Sequence, residues 1–159
     1  MKTLCKKLLT GGLAMTMVCA MALPAFANNF DSEVIVVPQT LEAIIEHNEN
    51  GETYYECQWR DAGGVTTLAD LSDAKWVEHT FDGLPLKHRA AKEYDGNSVR
   101  AASETVYELR HYSRAQIVQA IGGTVLVDSD RVYANSGSAI ARSSYILNDW
   151  GYALRSYWG

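Results

Sequence analysis

From Thr53 to Arg60 apolar and polar positions alternate, with Tyr55, Cys57 and Trp59 on one side and Glu56, Gln58 and Arg60 on the other. A period of two sends successive side chains to opposite faces, so this segment predicts a half-buried strand with Cys57 inward between two aromatics. Lys75 to Phe81 repeats the pattern, grouping Val77, His79 and Phe81 before the Asp82-Gly83 turn. Val34-Ile35-Val36-Val37 is a β-branched run stopped by Pro38 and reads as a short strand. Glu104 to Tyr112, Thr124 to Val127, Arg131 to Ala134, Ala139 to Ile146 and Tyr152 to Trp158 complete the strand set, with turn residues between them.

Two stretches have helical spacing instead. Thr40 is placed to cap a helix through His47, with Leu41, Ile44 and Ile45 as its apolar stripe and Asn50-Gly51 as its stop. Ser113-Arg114-Ala115-Gln116 matches a capping box, and Ile117, Val118 and Ile121 follow before Gly122-Gly123. Leu84 to Ala102 is charged and broken by Asp95-Gly96-Asn97, which reads as a long loop and as the place for any hinge. The expected fold is mostly β, a small antiparallel sheet or β-sandwich with one or two short helices, an α+β arrangement being the alternative.

The first residues change the picture of what folds. Lys2, Lys6 and Lys7 precede an uncharged, mainly apolar run from Leu8 to Leu23, then Pro24 and the small-x-small ending Ala25-Phe26-Ala27. That is the pattern of a secretory signal peptide, residues 1–27, cleaved near Ala27, with no transmembrane span left afterwards. The expected location is therefore extracellular. The whole chain has 159 residues, 14 basic against 19 acidic, and is 47% hydrophobic, too apolar for a disordered chain. Without the leader's three lysines the net charge becomes −8. Residues 28–103 form an acidic part of the mature chain, and residues 104–159 a part rich in arginine and aromatics; one domain is expected to hold both. A chain this acidic is a poor nucleic-acid partner, because affinity for phosphates comes from basic side chains.

Candidate chemistry is sparse. No G-x-S-x-G elbow, H-E-x-x-H helix, phosphate-binding glycine loop or Cys-x-x-Cys pair occurs, so neither a cofactor nor a metal is expected. Two of the three cysteines leave with the leader, so Cys57 has no intramolecular disulfide partner and reads first as a buried apolar side chain. Cys57 with His79, on the inward faces of neighbouring strands, is the one catalytic pairing, a thiol with a base that would favour the thiolate. Asp128-Ser129-Asp130 offers oxygens to calcium but lacks the glycine-centred loop and later glutamate, and shapes a turn more readily. The stronger signal is late in the chain, where Arg110, Arg114, Arg131, Arg142 and Arg155 stand among tyrosines and tryptophans. Arginine presents a rigid fork for phosphate or carboxylate, and aromatics add stacking. His111, Arg131, Tyr133, Arg142 and Trp158 are the expected binding residues.

The run from His111-Tyr112-Ser113 through Asp128-Ser129-Asp130-Arg131 and Gly137-Ser138-Ala139-Ile140-Ala141, ending in Tyr157-Trp158, resembles the lactococcin-type secreted bacteriocins. The resemblance implies a small exported β-sandwich acting on neighbouring Gram-positive cells, with the cell-wall precursor lipid II as target. The chain departs from that family in its acidic extension before the match and in lacking a glycine- and tryptophan-rich start. Together these features lead to a secreted bacterial interaction protein without catalysis. Its partner would be a cell-wall precursor, an envelope glycan or a protein. A small envelope hydrolase using Cys57 and His79, and a structural surface protein, are the alternatives.

Overall fold

The computed structural model describes residues 34–37, 39–62, 70–149 and 151–159, so the expected signal peptide, residues 1–27, and the residues up to 33 lie outside the described residues. Among the described residues there are twelve strands and one 3-10 turn, Leu71–Asp73. The strands are β1 (Ile35–Val37), β2 (Gln39–Glu49), β3 (Glu52–Asp61), β4 (Val77–Phe81), β5 (Leu84–Asp95) and β6 (Ser98–Tyr107). They continue with β7 (His111–Gln119), β8 (Val125–Asp128), β9 (Val132–Ala134), β10 (Gly137–Arg142), β11 (Ile146–Leu147) and β12 (Tyr152–Trp158). In the first sheet β1 and β4 pair with β5, β5 with β6, and β6 with β10 and β11. The second runs β2-β3-β12-β7, with β8 and β9 along β7. Every pairing is antiparallel. The mostly-β sandwich expected from alternation is the fold observed, and no helix among the described residues is long and apolar enough to cross a membrane.

Both helices read from spacing are strands. Residues 40–47 lie in β2, where a bulge between Leu41 and Ala43 lets Leu41 face Trp59 and Ile44 face Cys57. A strand period of two plus one extra residue puts apolar side chains three apart, which imitates a helical stripe. Asn50 and Gly51, at φ 53° and 82°, form the two-residue turn that closes the β2–β3 hairpin rather than a helix stop. Residues 113–119 lie in β7, held between β12 and the β8/β9 edge. Ser113 bonds the Ser103 hydroxyl of the opposite sheet at 2.8 Å instead of capping, and Ala115 and Ile117 enter the core. Tertiary pairing on both edges overrides the local cap.

The stretch 84–102 is no loop. It forms β5 and the start of β6, joined at Gly96-Asn97, and it is the central hairpin of the first sheet. Its buried charges, Arg89, Lys92 and Glu93, are each neutralised by a partner. Arg89 pairs with Glu104, and Glu93 takes both Arg100 (2.6 Å) and Arg142 (3.1 Å). Lys92 donates to the Tyr152 carbonyl at 2.7 Å and sits 2.9 Å from Asp61 of the second sheet. Each ion is compensated by partners on facing strands, the condition for keeping charge away from water. Two single strands of the expected set also divide. Residues 104–112 bend after Tyr107, where the chain leaves the first sheet for the second, and 139–146 break between β10 and β11.

Cys57, Trp59, Leu86, Ile117, Leu154 and Trp158 are among the side chains that fill the space between the sheets. A polar chain crosses this apolar layer. Trp59 Nε1 donates to Ser156 Oγ (2.7 Å), Ser156 Oγ meets His88 Nε2 (2.6 Å), and His88 Nδ1 meets Thr105 Oγ1 (2.9 Å). The arrangement is fully satisfied when Ser156 donates to Nε2 and Nδ1 carries the ring proton. A second, smaller cluster covers the outer face of the first sheet, where Leu71 and Ala74 pack on Val36, Ala91 and Ala102. Arg89 fastens that crossing segment through the Ser72 carbonyl and through Trp76, whose ring lies 4.0 Å from its guanidinium carbon.

Candidate functional site

The outer face of the second sheet stays open, and its strand register sets up a row of side chains. His47 pairs with Tyr54 and Tyr112 with Tyr133, while Gly159 follows Trp158 between β3 and β7. The Tyr112 amide donates to the Gly159 carbonyl at 3.0 Å, which holds this last residue in the row. Gly159 has no side chain, so the row has a gap between two tyrosines. A Cβ there would stand 3.0 Å from both Tyr112 Cε1 and Tyr54 Cβ. The Tyr112 ring edge and the Tyr54 Cβ close in on the space that glycine leaves free.

Arg131 lies over this gap. Its guanidinium carbon is 4.7 Å from the Tyr112 ring and 6.0 Å from the Tyr54 ring. Its Nη1 donates to Glu52 at 3.0 Å and reaches the Tyr133 hydroxyl at 3.5 Å. Tyr54 backs onto His47 in a parallel stack at 4.8 Å, Tyr133 tilts against Tyr112 at 5.6 Å, and Arg110 lies 5.4 Å from the Tyr133 ring. Together they enclose an open cup of about 310 Å³. Burial pushes the Tyr112 phenol up to about 12, and desolvation and a hydrogen bond to Glu49 raise Tyr54. The Tyr54 and Tyr112 phenols stay neutral, and hydrogen bonds to Tyr133 and Glu52 hold Arg131 above its ordinary range. The cup therefore has two cations, one carboxylate and the rings of Tyr54 and Tyr133, while Tyr112 lies buried beneath Arg131.

Neighbouring arginines are differently placed. Arg155 faces Glu56 at 3.4 Å, and Arg114 is bound by Asp128. Among the described residues Arg110 has no carboxylate partner, and Arg131 has none on Nε or Nη2. In the Asp128-Ser129-Asp130 turn the Asp128 carboxylate is committed to protein partners. Against burial, which raises it, hydrogen bonds from Arg114 and Gln116 hold the Asp128 carboxyl below its ordinary value, and Asp128 also accepts from the Asp130 amide at 3.0 Å. No group of three metal-ligating side chains occurs among the described residues.

The five expected binding residues do not share one surface. Arg131 and Tyr133 belong to the cup. His111 supplies backbone to its wall, but its ring is buried between the Leu109 carbonyl (2.7 Å) and the Thr105 carbonyl (3.1 Å). Trp158 is a core residue stacked on Tyr55 at 4.2 Å. Arg142 lies on the outer face of the other sheet, engaged by Glu93 and Asp70. Reading the sequence did not single out Tyr54, Tyr112 or Glu52, and it named Arg110 only among the late arginines. Tyr54's outward parity was available from the inward set Tyr55, Cys57 and Trp59, but nothing local placed β3 and β7 on either side of β12.

The Cys57–His79 pair finds no catalytic geometry. Cys57 is 1% exposed, and burial pushes its thiol up to about 12. His79 packs 5.6 Å from the Trp158 ring, and its Nε2 has no hydrogen-bond partner among the described residues. A thiol needs to ionise to attack, and this one does not at neutral pH. Replacing Cys57 by Ser is expected to lower stability by about 1–2 kcal/mol, from burying a hydroxyl in place of a thiol, and to leave ligand retention intact. Urea unfolding and a binding assay on the same sample check both. Ser156 and His88 also have a nucleophile–base spacing, yet both are wholly buried and no substrate atom reaches them. Compared with protein-family models, curated proteins and solved structures, the chain matches none.

Proposed function

We propose that this chain is an exported bacterial protein that recognises a cell-envelope component without catalysis, through the cup of Tyr54, Tyr112, Tyr133, Arg131 and Arg110. The observation behind this is Arg131, stacked over tyrosine rings on an open sheet face with part of its donor edge unused. Preformed concavity with aromatic walls and a few convergent polar groups is the usual form of a ligand site. The basic, apolar, small-x-small pattern of residues 1–27 supports export. The environment of Cys57 weighs against the hydrolase alternative.

The resemblance over residues 111–158 gives this reading a sharper form, a bacteriocin-like protein acting on neighbouring Gram-positive cells, and Arg131 and Tyr133 fall inside that stretch. The test is retention on isolated wall and lipid fractions. The Arg131→Gln, Tyr133→Ala double variant is expected to lose about tenfold in retention, a change near 1.4 kcal/mol. Lys87→Gln, on the other sheet and paired only with Glu78 at the surface, is expected to change nothing. Equal retention of the double variant would remove the cup from the reading. Undisturbed growth of related Gram-positive cells at micromolar protein would remove the bacteriocin-like form alone.

A further inference from the structure

We infer that the ligand of the cup is a saccharide carrying a carboxylate. The inference rests on the recognition reading above and names its ligand class.

Charge is the first ground. The chain has a net charge of −5, so its general field repels anions, and an anion can be held only where arginine acts locally. The cup supplies that. Arg110 has no carboxylate partner among the described residues, and Arg131 keeps Nε and Nη2 uncommitted, its contacts to Glu52 and to the Tyr133 hydroxyl both being made by Nη1. A guanidinium presents parallel N–H donors that match the two oxygens of a carboxylate.

The rest of the wall suits a sugar ring. Tyr133 is 52% exposed and turns ring surface to solvent, and Tyr54 is backed by His47. Aromatic faces accept the C–H face of a saccharide, while Thr53, Glu52 and the Tyr133 hydroxyl offer partners for its hydroxyl groups. The volume of about 310 Å³ stands at the lower limit of small-molecule sites, room for one or two rings. An anionic bilayer is the competing source of negative charge. It presents a plane of charge to the whole acidic chain, whereas a saccharide brings one carboxylate to the one place that receives it. Glu52 adds selectivity, because its charge opposes an anion anywhere but on the free edge of Arg131.

Calorimetric titration of the intact protein tests this with trigalacturonate and sialyllactose, against trigalacturonate methyl ester and lactose. The acids are expected to bind at least tenfold more tightly than their neutral counterparts. Arg131→Gln is expected to abolish that preference and Arg110→Gln to reduce it severalfold. Tyr133→Ala is expected to weaken acid and ester together. Unchanged unfolding midpoints show that the variants fold, and the exposed Arg110 substitution keeps the test decisive should Arg131→Gln not. Failure of both acids to bind would overturn the inference. So would equal binding of acid and ester, or displacement of the sugar by inorganic phosphate or phosphatidylglycerol vesicles at equal concentration. Retention on envelope fractions without response to either acid would leave recognition standing and remove the saccharide; absence of both would remove both.

Discussion

A chain shortened to begin at Glu104 is expected to remain unfolded, although it retains β7 through β12. Strand β12 is paired on one side to β3, from Leu154 opposite Trp59 to Trp158 opposite Tyr55, and on the other to β7. Removing the first part of the chain takes away β3, which is half of that pairing. It also takes β5 and most of β6, the surface against which Ala115, Ile117 and Leu154 are buried. The remaining strands would form a single layer with its apolar face in water, and one layer does not make a core. The expected loss is the whole cooperative stability, on the order of 5–15 kcal/mol for a domain this size. Dispersed amide resonances and a cooperative urea transition should be present in the intact protein and absent from the shortened one. A shortened chain that unfolds cooperatively would show that the acidic part is a detachable segment.

Stability is also expected to fall as the solution is acidified from about pH 6.5. His88 is wholly buried, and desolvation, with His79 as a lesser charge effect, lowers its imidazole to about 3. An unfolded histidine takes a proton near pH 6.5, so below that pH only the unfolded chain gains it. The contribution is therefore complete above pH 6.5 and is lost progressively toward pH 3. The slope is at most about 1.4 kcal/mol per pH unit, up to about 5 kcal/mol in all. Between pH 7 and 5 this group alone is expected to contribute roughly 2 kcal/mol of loss, which the comparison with a His88 variant separates from the other histidines and the carboxylates. Urea unfolding at both pH values, on the protein and on His88→Gln, measures it as the difference between their losses. Identical losses would refute the assignment. Should the variant not fold, the ring can be followed directly, since its nitrogen resonances must remain those of the Nδ1–H tautomer at pH 5.

The same burial explains why Ser156 and His88 are not a catalytic pair despite their 2.6 Å contact. In a β-sandwich the inward positions of both sheets meet in a dry layer, and polar groups persist there only in closed chains of hydrogen bonds. Trp59, Ser156, His88 and Thr105 form such a chain. The outer faces of the two sheets differ in kind. The first sheet's outer face is covered by the segment around Leu71 and Trp76 and by compensated ions, whereas the second displays the tyrosine and arginine side chains of the cup.

How much of this was legible in the amino-acid order varies by element. Alternation marked the strands at 53–60 and 75–81, because a period of two is a property of the backbone and needs no knowledge of neighbours. It misled at 40–47, where a bulge gave the strand a helical spacing, and at 113–121, where the capping-box residues instead bond across the sandwich and across the sheet. It also misled at 84–102, since buried charge reads as exposed charge until the partner is known. Arg89 is compensated by Glu104, and Glu93 by Arg100 and by Arg142, which is 49 positions away in the chain.

The sequence by itself determined that this chain makes short amphipathic strands and that its arginines and tyrosines cluster late. Both are local properties of neighbouring residues. Only the tertiary structure decided that Gly159 stands between Tyr54 and Tyr112 with Arg131 above them, while Trp158, His111 and Arg142 are placed elsewhere. Strand order is set by long-range pairing among many near-equivalent strands, and no local pattern says which edge meets which.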